Sequence, residues 1–439
     1  MNRETIASIV TPIGEGGIGV VQVSGPRSRE IVNTVFRGKR SVDLRTVPSR
    51  TLHYGKIYMH ERAVDEVIVN TLREEDSYTG EDLVEVNCHG GIQAVKKTLE
   101  CMLSAGAQEA DWEALTERAR MNGKIDLIQA EAYGEIPQAK TRLSAKVLVD
   151  QYHGVLSSFI RGLIKNMGYG KSEQQLPHIR ERLSEILETA AFGRAITSPR
   201  RLVIAGRPNV GKSTLINALL KEERSIVHGE PGTTRDAIDV LVEVSGIPFT
   251  IVDTAGMRET IDTVEKLGVS ETRNQLRAAD TILYLLDSSI PIENEDRELF
   301  ESIMEISRDS QKCSDSRRNS VIIVVNKMDL SQKLDTSVLG REHAFPLCRI
   351  SALQYQGFSA LEEALTGEFS EFIQYTPKRA IIFTGRQQKH LSRAFEISEK
   401  CVCCIQENKG LGNVSNYVSE IKRELQRCIG EYRFSDFSP

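Results

Sequence analysis

Apolar residues change their spacing along the chain, and the change marks out segments. Up to about residue 118, short apolar or alternating runs recur between turn residues. They predict strands at Thr5–Val10, Ile18–Val23, Tyr54–Met59, Glu66–Leu72 and Leu83–Asn87. Helical spacing covers Ser28–Phe36 and Ile92–Ser104, so this part reads as α+β. From 119 to 198 the spacing is helical, beginning at Lys124–Ala132 and closing at Ile179–Ala190, with a break predicted at Gly168–Ser172. Continuous apolar runs return at Arg201–Ala205, Phe249–Val252, Ile282–Leu286, Val321–Val325 and Leu347–Ile350. They alternate with helical stretches such as Thr214–Lys221, which predicts an α/β domain over 199–373. Polar Asp309–Asn319 reads as a loop. Residues 374–439 are helical again, with Leu391, Ala394, Phe395 and Ile397 on the apolar face. The helical segments 119–198 and 374–439 flank the α/β domain, so they are expected to pack together around an insertion.

Composition narrows the class. The 439 residues suffice for about three domains of ~150 residues. With 27% charged and 40% hydrophobic residues, the chain reads as soluble and multidomain. A net charge of −5 does not advertise broad nucleic-acid binding, although a local basic face remains compatible with it. No apolar run of about eighteen residues predicts a membrane span, and the first residues lack a signal-peptide core. A cytoplasmic location is therefore expected. The eight cysteines are scattered; Cys401, Cys403 and Cys404 cluster without a second ligand pair, and read as buried helix positions rather than a zinc site.

The chemistry is concentrated between Arg201 and Ser351. Gly206-Arg207-Pro208-Asn209-Val210-Gly211-Lys212-Ser213, followed by Thr214, fits the phosphate-loop pattern between a strand and a helix. Its backbone N–H groups and helix N-terminus suit a β-phosphate, Lys212 suits the β/γ-phosphates, and the Ser213 hydroxyl suits Mg²⁺. Asn326-Lys327-Met328-Asp329 ends an apolar strand; a carboxylate at Asp329 accepts hydrogen bonds from guanine and rejects adenine. Ser351-Ala352-Leu353 suits a backbone contact to the guanine carbonyl. Gly232-Thr233-Thr234-Arg235-Asp236 offers Thr234 as a second Mg²⁺ ligand, against the plainer reading of a polar turn. In Asp253-Thr254-Ala255-Gly256, Asp253 suits the Mg²⁺ shell and the Gly256 N–H the γ-phosphate. The set defines a Ras-like P-loop domain that binds and hydrolyses GTP.

Hydrolysis needs a positioned water and relief of developing charge. Many GTPases place a Gln after the D-x-x-G tetrad; here Met257 stands there and cannot orient water. Glu265 is the best local carboxylate. Asn209 can be a loop hydrogen-bonder or can bind a monovalent cation together with carbonyls of His228-Gly229-Glu230-Pro231-Gly232-Thr233.

Further motifs lie outside this region. They are Thr11-Pro12-Ile13-Gly14-Glu15-Gly16-Gly17-Ile18-Gly19, Ser77-Tyr78-Thr79-Gly80-Glu81-Asp82 leading to His89-Gly90-Gly91, and Asn122-Gly123-Lys124-Ile125-Asp126-Leu127. With them, nearly the whole chain resembles the MnmE (TrmE) family of tRNA-modification GTPases. The resemblance implies an N-terminal folate-binding-like domain that forms a homodimer, a split helical domain and an inserted GTPase. It also implies a flavoprotein partner (MnmG) and tRNA as substrate, modified at carbon 5 of the wobble uridine. It further implies that K⁺ is held by Asn209 and carbonyls of His228, Glu230 and Thr233, and that Glu265 is the water-positioning base.

Departures bear on the ligand and the tail. Glu85 and Lys124 match family contacts to 5-formyltetrahydrofolate, but Gln22 replaces a family Arg, so an anionic folate would lack that cation. Cys428-Ile429-Gly430-Glu431 resembles the family's Cys-Ile-Gly-Lys terminus, yet its context matches an earlier helix and turn. The family's last helix, cysteine and lysine are therefore expected to be absent. Two other readings stand beside modification: a GTP-regulated switch of the same architecture that has lost the modification step, and a ribosome-assembly GTPase, which leaves the N-terminal domain unexplained.

Overall fold

A period of two builds one sheet, and unbroken apolar runs build another. The computed structural model describes residues 4–167, 172–221, 240–252, 268–312, 319–336, 345–406 and 411–431. These divide into two units. One comprises the chain up to Gly134, Tyr152–Ile164 and the chain from Lys422; the second comprises Glu135–Gln151 and Lys165–Ile421.

In the first unit the elements are β1 (Ile6–Ile9), β2 (Ile18–Ser24), α1 (Ser28–Val35), β3 (Phe36–Gly38), β4 (Thr51–Met59), β5 (Arg62–Leu72), β6 (Leu83–His89), α2 (Ile92–Ser104) and β7 (Gln108–Glu109). The seven strands run in the order β3-β4-β5-β6-β2-β1-β7, antiparallel except for the β1–β7 pair. Alternate residues such as Val21, Val23, Val67, Val69, Val84 and Val86 face α1 and α2 in one core. The opposite face stays open, with Leu52, Tyr54 and Ile68 exposed there. The helices α3 (Trp112–Met121) and α4 (Leu127–Glu135) follow, α3 being capped by Asp111, whose carboxylate accepts the Ala114 N–H at 2.9 Å. The glycine-rich segment after β1 meets the one after β6: Gly16 N–H donates to the Gly90 carbonyl at 2.9 Å. A Cβ on Gly90 would lie 2.5 Å from the Gly16 carbonyl oxygen, so that contact requires glycine.

The second unit carries α7 (Ser172–Thr197), reached through α5 (Arg142–Tyr152) and α6 (Val155–Asn166). Then come β8 (Arg200–Ala205), α8 (Lys212–Lys221), β9 (Val240–Val244), β10 (Ile247–Val252), α9 (Gly268–Ala278), β11 (Thr281–Asp287), α10 (Asn294–Lys312), β12 (Ser320–Asn326), β13 (Leu347–Arg349), α11 (Phe358–Thr366) and α12 (Ser370–Ile373). The chain continues through α13 (Gly385–Gln406) and α14 (Leu411–Ile429). The six-stranded sheet has the order β13-β12-β11-β8-β10-β9 and is parallel except for β9. Its central strands are buried on both sides. Leu283, Leu285, Ile322 and Val324 join α7, α8 and α11 in one core, while Ile282, Tyr284, Leu286 and Ile323 join α9 and α10 in another.

The helical stretches on either side of this sheet do meet. Within the second unit α7 packs along the start of α13 and the segment before it. The Ile382 N–H donates to Thr189 Oγ1 at 3.0 Å, and Thr197 Oγ1 donates to the Phe383 carbonyl at 3.3 Å. A Cβ on Gly193 would fall 1.8 Å from the Ile382 carbonyl oxygen, so α7 comes this close only at a glycine.

Two expectations change. Asp309–Lys312 is helical rather than loop, as the last turn of α10, where the helix already formed overrides the weak propensity of Asp309 and Ser310. The cysteine cluster on α13 is only partly buried: Cys401 is inside, whereas Cys403 is exposed. Residues 168–171 of the expected break at Gly168–Ser172, and 313–318 of the expected loop, lie outside the described residues.

Candidate functional site

The C-terminal ends of β8, β11 and β12, with the segment after β13, converge on one place, where an open parallel sheet builds its ligand site. β8 ends at Ala205 and the phosphate loop follows. Gly206 lies so close to β11 that a Cβ would meet the Leu285 carbonyl oxygen at 2.5 Å. Asn209 (φ 65°) and Gly211 (φ 102°) both adopt left-handed backbone, which curls the loop before α8 begins at Lys212. Lys212 Nζ donates to the carbonyls of Gly206 at 2.7 Å and Arg207 at 2.8 Å. Ser213 and Thr214 stand exposed in the first turn of α8, where the helix dipole favours anions.

Asn326 ties the expected motifs to one another. It is 2% exposed; its Nδ2 donates to the Val210 carbonyl at 2.9 Å and its Oδ1 accepts the Ala352 N–H at 3.0 Å. A Cβ on Gly211 would sit 2.3 Å from that Nδ2, so the glycine makes room for the amide. Lys327, at φ 62°, donates from Nζ to the Asn209 carbonyl at 2.8 Å and to Asp287 at 2.6 Å. Asp329 accepts the Ser351 hydroxyl at 2.5 Å, which fixes its carboxylate beside the segment after β13. Ser351 is held in turn by backbone bonds with Gln356, and Leu353 projects into solvent at 79% exposure. The sequence-predicted Asn209, Val210, Gly211, Lys212, Asn326, Lys327, Asp329, Ser351 and Ala352 therefore lie together in one region, with Ser213 beside them in the first turn of α8.

His228, Gly229, Glu230, Pro231, Gly232, Thr233, Thr234, Asp253, Thr254, Ala255, Gly256, Met257 and Glu265 lie outside the described residues.

Motif reading passed over Asp287. It ends β11 after six buried residues, and a carboxylate at the end of such a strand is the signal that could have found it. Burial pushes its pKa up, but hydrogen bonds from Lys327 and Ser289 outweigh this and hold it below the ordinary aspartate value.

In the first unit, Ser77–Asp82 meets the turn before α4. Asn122 Nδ2 donates to the Thr79 carbonyl at 2.7 Å, and Gly80 (φ 70°) sits where a Cβ would meet Asn122 Cβ at 2.8 Å. Glu85 lies on the open sheet face beside Gln22, its register partner. It accepts from Gln22 Nε2 and from Asn70 Nδ2, both at 2.8 Å, while Gln22 Oε1 accepts the Tyr78 hydroxyl at 2.7 Å. Burial raises the Tyr78 pKa. Tyr133 packs near Tyr78, Trp112 and Tyr152 and extends the aromatic wall. Lys124 turns elsewhere, donating to the Glu75 carbonyl at 3.4 Å. The donors around Glu85 are thus neutral amides. Glu85 is the acceptor of this cluster, and Gln22 offers no charge to an anionic group.

Comparison with known proteins matches both regions. A family described as "GTP-binding protein TrmE N-terminus" covers residues 5–124, and one described as "50S ribosome-binding GTPase" covers residues 201–327. The tRNA modification GTPase MnmE of Carboxydothermus hydrogenoformans is 38% identical, over 98% of this chain and 96% of its own. The chain belongs to the MnmE family. The MnmE proteins of Staphylococcus aureus and Bacillus subtilis are each 37% identical, the first over 98% and the second over 83% of this chain. Like its MnmE relatives the chain is a GTPase, and GTP and Mg²⁺ are the ligands its nucleotide domain implies. Among the described residues no helix is long and apolar enough to cross a membrane.

Proposed function

We propose that this chain is a potassium-activated GTPase. Working with a flavoprotein partner of the MnmG kind, it drives modification of tRNA at carbon 5 of the wobble uridine. The observation that carries the reading is the pairing of a TrmE-type N-terminal domain with a nucleotide domain whose phosphate loop holds Asn209 in the left-handed region. Relatives named tRNA modification GTPase MnmE along nearly the full chain support the same reading.

At the nucleotide, Lys212 would neutralise the β/γ-phosphates, and Asp329, oriented by Ser351, would select guanine. Ser213 and Thr234 would hold Mg²⁺, with Asp253 in its shell; Asn209 and carbonyls of His228, Glu230 and Thr233 would hold K⁺. Both ions, when bound, would supply positive charge against the charge that develops on the transferred phosphoryl group. Glu265 would orient the attacking water and accept its proton, the task Met257 cannot perform. GTP turnover compared in KCl and NaCl tests this reading. Potassium should raise the rate at least about tenfold, since the arginine finger it replaces contributes about 10³-fold or more elsewhere. Equal rates would remove the potassium role, and an unimpaired Glu265→Ala would remove Glu265.

We keep the four-segment division at 118, 198 and 373, and a homodimer formed through the N-terminal domain. A 5-formyltetrahydrofolate would find its ring contacts at Glu85 but no cation at Gln22, so a weak complex is expected; calorimetry showing micromolar binding would show that Gln22 is tolerated. Restored wobble-uridine modification in a complemented deletion strain separates modification from a switch that has lost it. A cytoplasmic site of action fits both readings.

A further inference from the structure

The phosphate-loop pattern leaves its second position unspecified, and here Arg207 occupies it. Its side chain is nevertheless tightly placed. Nε donates to Asp296 Oδ1 at 2.9 Å, and Nη1 donates to the Glu293 carboxylate. The Arg207 and Asp296 side chains are only 12% and 3% exposed, whereas Glu293 is 58% exposed. Burial works against the guanidinium charge, but Asp296 and then Glu293 overcome it and hold the group above its ordinary pKa.

Asp296 is itself fixed from two sides. Its Oδ2 accepts the Glu293 N–H at 3.1 Å, which ties down the first turn of α10. Its backbone carbonyl accepts the Tyr284 hydroxyl at 2.7 Å, and Tyr284 is fully buried on β11 against Phe300. At the other end, the Arg207 carbonyl accepts Lys212 Nζ. A rigid path therefore runs from β11 through α10 to the peptide on which the Lys212 ammonium rests.

We propose that Arg207 is a positioning residue for nucleotide binding. The Arg207–Asp296 pair pins the Gly206–Arg207 peptide, so that Lys212 can pass from the loop carbonyls to the nucleotide phosphates while the loop keeps its shape. A loop free to follow the ammonium would have to be reordered at each binding event, and affinity would fall by the fraction of time it is misplaced. The effect lies on binding rather than on the chemical step, because Arg207 faces α10 and not the reacting phosphoryl group.

The test uses the full chain, with affinity for a fluorescent GDP analogue, steady-state GTP hydrolysis and thermal unfolding read in parallel. Arg207→Met should weaken GDP binding and raise KM about tenfold, with kcat within about twofold. Arg207→Lys, which keeps one contact to Asp296, should weaken binding about threefold at an unchanged unfolding temperature. Glu293→Gln, at the exposed contact, should stay within about twofold of the parent. Arg207→Met leaves Asp296 buried and unpaired and can fail to fold for that reason alone. Arg207→Met/Asp296→Asn removes both charges and keeps an acceptor for the Glu293 N–H. It should recover the unfolding temperature without recovering affinity. Parental affinity in that double variant, or parental KM in Arg207→Lys, would overturn the proposal and leave the pair as fold support alone. A loss confined to kcat would overturn it equally.

Discussion

The two sheets of this chain present their chemistry in opposite ways. In the six-stranded sheet, β11 and β12 are buried on both faces, and their charged and amide side chains stand where the strands end; mid-strand, the Tyr284 hydroxyl is accommodated by its bond to the Asp296 carbonyl. Asp287 and Asn326 stand at those ends, and the phosphate loop joins them there. In the seven-stranded sheet one face is open, and the polar groups lie mid-strand: Gln22, Asn70 and Glu85 form a row across β2, β5 and β6. Burial on both sides confines a site to an edge. Burial on one side spreads polar and apolar groups over a surface.

Substitutions can break or sharpen this contrast, and the largest effect should come from the buried sheet. Leu283→Ala, at a fully buried position, should cost about 2–5 kcal/mol in denaturant unfolding, the range for large cavities in packed cores. A cost under about 1 kcal/mol would mean that the two-faced core is looser than its burial implies. Asn326→Ala strips the Val210 carbonyl and the Ala352 N–H of a buried partner and should cost about 1–3 kcal/mol for each group left unsatisfied. The loss should appear in GDP affinity as well as in unfolding. On the open face, Ile68→Ala, at 45% exposure, should change the unfolding free energy of the isolated protomer by less than about 0.5 kcal/mol. A larger loss that shrinks on dilution would instead place Ile68 in an interface between copies.

The smallest effect is a titration on the open sheet. His89 Nδ1 lies 2.6 Å from Asp65 Oδ1, and that hydrogen bond, with the Asp65 charge, raises the His89 pKa above its ordinary 6.5. The protonated pair supports the fold fully below that ordinary value, and the support fades as pH rises through the raised one. An NMR titration should place His89 above 6.5, and Asp65→Asn should lower it.

Legibility followed the same divide. β8, β11 and β12 are continuous apolar runs and could be read within a residue or two of their ends. β3, of three residues, and β7, of two, are too short to carry a period. β9, with Glu243 among its valines, was missed although it pairs antiparallel with β10. Pro177 concealed the start of α7, because a proline inside a helix reads as its boundary. In the nucleotide site the motif residues were legible, since spacing from a strand end defines them. Their outer supports were not: Glu293 and Asp296 reach Arg207 of the phosphate loop from 86 and 89 residues away, Asp287 holds Lys327 from 40 residues away, and no local pattern marks such pairs.

The Asn326 amide has a consequence for how this site can vary over time. One side chain serves both the loop between β8 and α8 and the segment after β13, so neither can drift independently. On the proposed role of Asp329, a change of base preference would fall to that residue, which is fastened by the Ser351 hydroxyl and takes no part in the Asn326 bridge. The shared joint at Asn326, buried and bonded on both sides, is the position least free to change.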